Sequence, residues 1–177
     1  MDSKKIVLVG MPGSGKSTLG KVLAEKLNWK FFDLDDLIEK AAGIPIATIF
    51  PTHGEGYFRD LESSVLENVL IKDEGFVLAT GGGAPCYNEN MDLINQNSVS
   101  VYLDVPLNNI LDRLTNTELA IRPLFSGLDT YQITLKLKDM HSQRSPFYEK
   151  AKIKLRGEDN SPELLIAKWA HFLEIKS

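Results

Sequence analysis

The chain of 177 residues contains one cysteine, Cys86, so it cannot close an internal disulfide, as suits a reducing cytosol. Its three histidines, His53, His141 and His171, have no ligand-like spacing with one another or with Cys86, and no zinc site is expected. Positive charge is not in excess either. Lys and Arg number 20 against 24 Asp and Glu, for a net charge of −4 and a pI near 5.4. That balance argues against a broad nucleic-acid surface, and any anionic ligand must be held by locally placed cations. No apolar stretch approaches membrane-spanning length, and the opening Met1-Asp2-Ser3-Lys4-Lys5 leads into a run too short for the core of a secretory signal. A soluble, cytoplasmic protein with no membrane or nucleic-acid partner is expected. Repeats, low-complexity tracts and long linkers are absent as well. With 43% hydrophobic residues, the chain can bury one real core, and residues 1–177 read as a single domain.

What is present is a complete phosphate-binding loop. Gly10-Met11-Pro12-Gly13-Ser14-Gly15-Lys16-Ser17 follows directly on the apolar run Ile6-Val7-Leu8-Val9, and Leu19, Val22, Leu23 and Leu27 continue it with helical spacing. A buried strand feeding a glycine-rich turn and then a helix N-terminus is the context in which backbone N–H groups wrap phosphate oxygens. Gly13, Ser14, Gly15, Lys16, Ser17 and Thr18 are therefore expected to hold a nucleoside triphosphate. Lys16 would reach the β and γ phosphates, and the Ser17 hydroxyl would ligate Mg²⁺.

Strand-like runs recur at 4–9, 30–33, 76–80, 98–103 and 152–156. Helical patterns fall at 16–27, 35–42, 57–71, 89–96, 106–114, 127–143 and 162–174. Alternation of this kind predicts a mostly five-stranded parallel sheet in a three-layer α/β/α fold, with ligands at the carboxyl ends of the strands. Two segments break the alternation, 43–60 and the polar stretch 115–126, and insertions at that end of a sheet commonly form a substrate subsite and a mobile cover.

The nucleotide chemistry is narrowed by two further absences. Neither the Asn-Lys-x-Asp guanine signature nor the Asp-x-x-Gly switch of GTPases occurs, and the strand Phe76-Val77-Leu78-Ala79 ends in Thr80 and three glycines rather than in a magnesium-shell aspartate. The missing carboxylate is sought in Phe31-Phe32-Asp33-Leu34-Asp35, where period-two geometry turns Asp33 and Asp35 to the same side. One would organise Mg²⁺ while the other accepts a proton from, or aligns, an acceptor hydroxyl. The competing assignment is helix capping by Asp35 and Asp36, the latter three residues before Glu39.

Taken in order, the phosphate loop, Phe32-Asp33-Leu34-Asp35, Gly56-Tyr57-Phe58-Arg59 with Glu62, Gly81-Gly82-Gly83, Leu111-Asp112-Arg113, Arg122-Pro123-Leu124 and Arg144-Ser145-Pro146-Phe147-Tyr148 closely resemble the shikimate kinase family. The resemblance runs from about residue 4 to residue 170. It implies an ATP-dependent transfer of the γ-phosphoryl group to the 3-hydroxyl of shikimate, in the route to aromatic amino acids. It further implies that Asp33 belongs to the Mg²⁺ shell, that Asp35 contacts the acceptor hydroxyl, and that Arg59, Gly81, Gly82, Gly83 and Arg144 hold shikimate. Arg122 matches a lid arginine, Arg113 one that stacks near adenine, and Asn160, Ser161 and Pro162 fall near the second adenine-contacting loop. Lys16, Asp35 and Arg122 are the expected catalytic groups. Within the single domain, 34–61 would be the acceptor-binding segment and 115–126 the lid, and a monomer is expected. Phe147 departs from the leucine of the family pattern.

Physical chemistry agrees with these roles. A carboxylate acceptor favours arginine, whose planar fork makes two parallel hydrogen bonds. Glu62, one helical turn after Arg59, is placed to hold that fork. Two other readings compete: another small-molecule kinase of the same fold, acting on gluconate or a nucleoside monophosphate, and a non-catalytic ATP-binding regulator. The first leaves the paired aspartates, triple glycine and two arginines unexplained as a set. Intact Lys16, Ser17, Asp33 and Asp35 stand against the second.

Overall fold

The structure, a computed structural model, describes residues 4–116, 124, 125, 127–157 and 160–176. Five strands form one parallel sheet: β1 (Lys5–Val9), β2 (Lys30–Asp33), β3 (Phe76–Ala79), β4 (Val99–Asp104) and β5 (Ile153–Arg156), in the spatial order β2-β3-β1-β4-β5. Central β1 pairs Val7 with Leu78 on one side and with Ser100 on the other. The helices are α1 (Lys16–Leu27), α2 (Leu34–Ala42), α3 (Ile46–Leu70), α4 (Asn90–Asn97), α5 (Leu107–Asn116), α6 (Thr130–Tyr148) and α7 (Pro162–Lys176), with a 3₁₀ turn at Ala84–Cys86.

The central strands β1 and β3 are apolar at nearly every position because both faces are covered, whereas the edge strands β2 and β5 carry charged residues at half of theirs. Period-two alternation divides the strands between two cores. Val7, Val9, Phe76, Leu78 and Tyr102 pack against α2 to α6, whereas Ile6, Leu8, Val77, Val101 and Leu155 pack against α1 and α7. This is the expected three-layer α/β/α arrangement, and it sets the carboxyl ends of β1, β2 and β3 side by side.

Three local readings need correction. Capping of α2 falls to Asp33, whose Oδ1 accepts from the Asp35 amide at 3.1 Å, so Asp35 and Asp36 lie in the first turn rather than before it. Their charges there still favour the positive end of the helix. The segment 43–60 is mostly helical: α3 begins at Ile46 and is interrupted only at Gly54, with φ 83° and ψ 170°, a conformation open to glycine. Helix α6 starts at Thr130 behind a capping box formed by Asp129 and Gln132, and runs past Pro146 to Tyr148 instead of stopping at 143. Tyr148 is fully buried and its hydroxyl donates to the Gly82 carbonyl at 2.5 Å, so burial and a tertiary hydrogen bond both hold the turn beyond the proline. In the segment 115–126, residues 117–123 and 126, Arg122 among them, lie outside the described residues.

Candidate active site

The phosphate loop joins β1 to α1 through Gly10, Gly13 and Gly15, with φ of 141°, 81° and 95°. At Gly10 space matters as well as conformation, since a Cβ there would lie 2.8 Å from the Leu103 carbonyl oxygen. Gly15 is the N-cap of α1 and offers no side-chain cap, the form of helix end that receives an anion. Lys16 is buried, and its Nζ donates to the Gly10 and Met11 carbonyls at 2.9 Å each. Those bonds curl the ammonium over the hollow of the loop. Arg113, on α5, donates to the carbonyls of Ser14 at 3.2 Å and Gly13 at 3.4 Å, which sets its guanidinium on the loop itself.

Asp33 ends β2 next to this loop. While one carboxylate oxygen caps α2, the other accepts from Ser17 Oγ at 2.6 Å. Ser17 and Asp33 are thus in direct contact. A hydroxyl and a carboxylate are hard oxygen donors, which suits Mg²⁺, an ion that usually keeps several waters and takes further oxygens from substrate phosphates. Among the described residues no group of three or more His, Cys, Asp or Glu side chains stands ready for a metal.

The second half of the site is built around the three glycines after β3, each of which meets a different side chain. A Cβ on Gly81 would lie 2.9 Å from Asp35 Oδ1, one on Gly82 would lie 2.7 Å from the Pro12 ring and 3.2 Å from an Arg144 nitrogen, and one on Gly83 would lie 2.9 Å from an Arg59 nitrogen. Arg59 Nη1 donates to Glu62 Oε2 at 2.7 Å, while its Nε and Nη2 reach Glu55 Oε1 at 3.3 and 3.2 Å. Glu62 is almost completely buried. Burial pushes its carboxyl above the usual carboxylate range, an effect that Arg59 and Arg144 only partly offset and that the nearby Asp35 reinforces. Cys86, half-buried beside the same arginines, is pushed up to about 11, chiefly by burial, so its thiol is inert at neutral pH.

One cleft of about 1340 Å³ unites the two halves, and both Lys16 and Arg144 line it. It also takes in Asn160, whose amide nitrogen and oxygen are buried and have no hydrogen-bond partner. Every expected site residue that is described lines this cleft; Arg122 lies outside the described residues. Sequence reasoning missed Glu55, Tyr87 and the hydroxyl of Tyr148. Glu55 was findable, four residues before Arg59 on a helix, whereas the Tyr148 bond to Gly82 spans 66 positions and leaves no local signal.

A phosphate loop at the end of the central strand, opposed across one cleft by carboxylates and arginines, defines a phosphate-loop kinase of a small molecule. The model of the shikimate kinase family matches residues 12–174. Shikimate kinase of Sulfurihydrogenibium sp. (strain YO3AOP1) is 44% identical over 163 residues, spanning 92% of this chain and 93% of that protein. Two solved structures are each 33% identical in sequence. Shikimate kinase from Bacteroides thetaiotaomicron has a TM-score of 0.86 and covers 96% of this chain and 98% of its own. That from Acinetobacter baumannii, solved in complex with shikimate, has a TM-score of 0.83 and covers 98% and 94%. The chain belongs to the shikimate kinase family.

Proposed function

We propose that the chain transfers the γ-phosphoryl group of ATP to the 3-hydroxyl of shikimate, giving shikimate 3-phosphate and ADP, a step toward the aromatic amino acids. The observation that carries this reading is the gathering of Asp35, Arg59 and Arg144 around Gly81–Gly83, across the cleft from Lys16 and Ser17. An acidic, polyhydroxylated ring needs such a partner set: arginine forks for the carboxylate, a carboxylate for the reacting hydroxyl, and bare backbone between them.

In this reading the loop from Gly13 to Thr18 wraps the phosphates. Lys16 neutralises charge that builds on the transferring phosphoryl oxygens. Ser17 and Asp33 are the groups that would hold Mg²⁺, which would supply neutralisation of the phosphate charge. Asp35 orients the 3-hydroxyl and receives its proton as that oxygen bonds to the γ phosphorus. The bond from phosphorus to the β,γ-bridging oxygen breaks, and ADP leaves with the electron pair. Arg59 and Arg144 grip the carboxylate, with Glu62 holding Arg59 in place. Asn160 and Arg113 contact the nucleotide, the former through an amide suited to reading an adenine edge. Residues 34–61 serve as the acceptor-binding segment and 115–126 as a lid that delivers Arg122, so that 1–177 work as one kinase domain. Among the described residues no helix is long and apolar enough to cross a membrane.

ADP release measured in parallel with shikimate, gluconate and nucleoside monophosphates tests the proposal, with phosphorus NMR to locate the ester. Shikimate should be the one efficient acceptor, phosphorylated at O3. Faster turnover of gluconate or a nucleotide would overturn the assignment.

A further inference from the structure

Arg59 is fixed by more than its two carboxylates. Its guanidinium carbon lies over the ring of Tyr87, 3.9 Å from the centroid, closer than it lies to Phe58 at 5.0 Å. The next residue, Asn88, donates its side-chain amide to the Arg59 carbonyl at 3.3 Å, to Ser63 Oγ at 3.0 Å and to Asp60 Oδ1 at 3.4 Å. It does so from a left-handed backbone, φ 49°, followed by Glu89 at φ 57°, a pair of conformations that non-glycine residues seldom adopt. Two consecutive residues, just beyond the 3₁₀ turn that follows the triple glycine, thus hold one arginine at both ends.

The two contacts restrain different motions. Glu55 and Glu62 hold the guanidinium by hydrogen bonds that act largely within its plane, and leave it able to tilt about those bonds. An aromatic face at van der Waals distance opposes the tilt. A fork donates two parallel hydrogen bonds to a carboxylate only when the two groups are nearly coplanar. We propose that Tyr87 is a positioning residue for the acceptor: by stacking on Arg59 it sets the plane in which the remaining N–H groups meet the acceptor carboxylate, while Asn88 fixes the loop that carries the ring. The inference rests on the assignment of Arg59 to that carboxylate.

Steady-state kinetics on the full chain test it. Loss of a partly desolvated cation–π contact predicts that Tyr87→Leu raises KM for shikimate about five- to thirtyfold, with kcat and KM for ATP held within about twofold. Tyr87→Phe keeps the face of the ring and should restore KM to within about twofold of the parent. Partial misfolding lowers the active fraction, hence kcat, and would not give this split. In an Arg59→Lys background, where no planar fork remains, Tyr87→Leu should change KM little. Additive effects in that cycle, or a Tyr87→Phe defect as large as that of Tyr87→Leu, would overturn the stacking role. A raised KM in Arg59→Lys beside an unchanged KM in Tyr87→Leu would also overturn it and leave the carboxylate assignment standing. An unchanged KM in Arg59→Lys itself would overturn the assignment and the inference together.

Discussion

Ser17 Oγ donates to Asp33 Oδ2 at 2.6 Å, so the first turn of α1 and the end of β2 are tied at the point where nucleotide and acceptor must meet. The same aspartate caps α2. One carboxylate therefore couples the phosphate loop to the segment that carries Asp35, through one hydrogen bond from the Ser17 hydroxyl and one from the Asp35 amide.

Lys16→Met should lower kcat by at least about a hundredfold, as expected when a buried electrostatic stabiliser of the transferring group is removed. Single-turnover kinetics isolates the chemical step. Near-normal turnover would remove the phosphate loop from the reaction.

Asp35→Asn retains shape and loses charge and basicity. Because Asp33 and not Asp35 caps α2, the fold should survive, and kcat should drop about 10²- to 10⁴-fold. A variant with lowered stability and unchanged kcat would make Asp35 a structural residue.

Arg144→Ala or Arg59→Ala should weaken shikimate binding by about 2–5 kcal/mol if the pair is desolvated on binding, and leave ATP affinity nearly unaltered. Calorimetric titration of each ligand separates the two. An equal loss for ATP would contradict the division of the cleft.

Glu62 has its carboxyl raised above the usual value of 4.5, first because burial disfavours the charge. An acid whose folded value exceeds its unfolded one holds more protons when folded, so between those two values stability falls as pH rises. The parent should thus lose stability relative to Glu62→Gln as pH climbs from about 4.5, and the difference should level off once Glu62 is ionised. Urea midpoints of both proteins across that range measure it. A difference moving the other way would mean that the arginines, not burial, dominate at Glu62.

Hydrogen exchange across 115–126 should slow when ADP and shikimate bind, and Arg122→Ala should reduce kcat more than it weakens ground-state binding. Exchange indifferent to ligands, together with normal turnover, would refute the lid.

Elements whose cause is local were legible in the sequence. Helix α1 begins at the glycines and ends at Asn28, whose left-handed backbone returns its amide to Ala24 and Glu25, and the central strands β1 and β3 were legible within a residue or two because burial on both faces makes them almost wholly apolar. Elements whose cause is distant were not. The first half of α3 reads as irregular because Pro51 and Gly54 interrupt it, yet Ile49 is fully buried and secures it to the core. The last turn of α6 survives Pro146 through the bond of Tyr148 to Gly82. At the site, the resemblance already separates Asp33 from Asp35 but gives no sign that Asp33 also caps α2, and the ring over Arg59 belongs to a residue 28 positions away, with nothing in its neighbourhood to mark it.

Gly81, Gly82 and Gly83 have no left-handed backbone to demand glycine; what excludes a side chain at each is one particular neighbour, Asp35, Pro12 with Arg144, or Arg59. Substitution along this stretch therefore disturbs the proposed acceptor groups themselves. Even alanine would have to shift Asp35 at Gly81 and Arg59 at Gly83, and would meet the Pro12 ring at Gly82, whereas Gly54 and Gly56 have open space around them. A laboratory selection for altered acceptor choice should accordingly collect its substitutions in α2 and α3, and leave the three glycines as fixed points around which the rest of the pocket is redrawn.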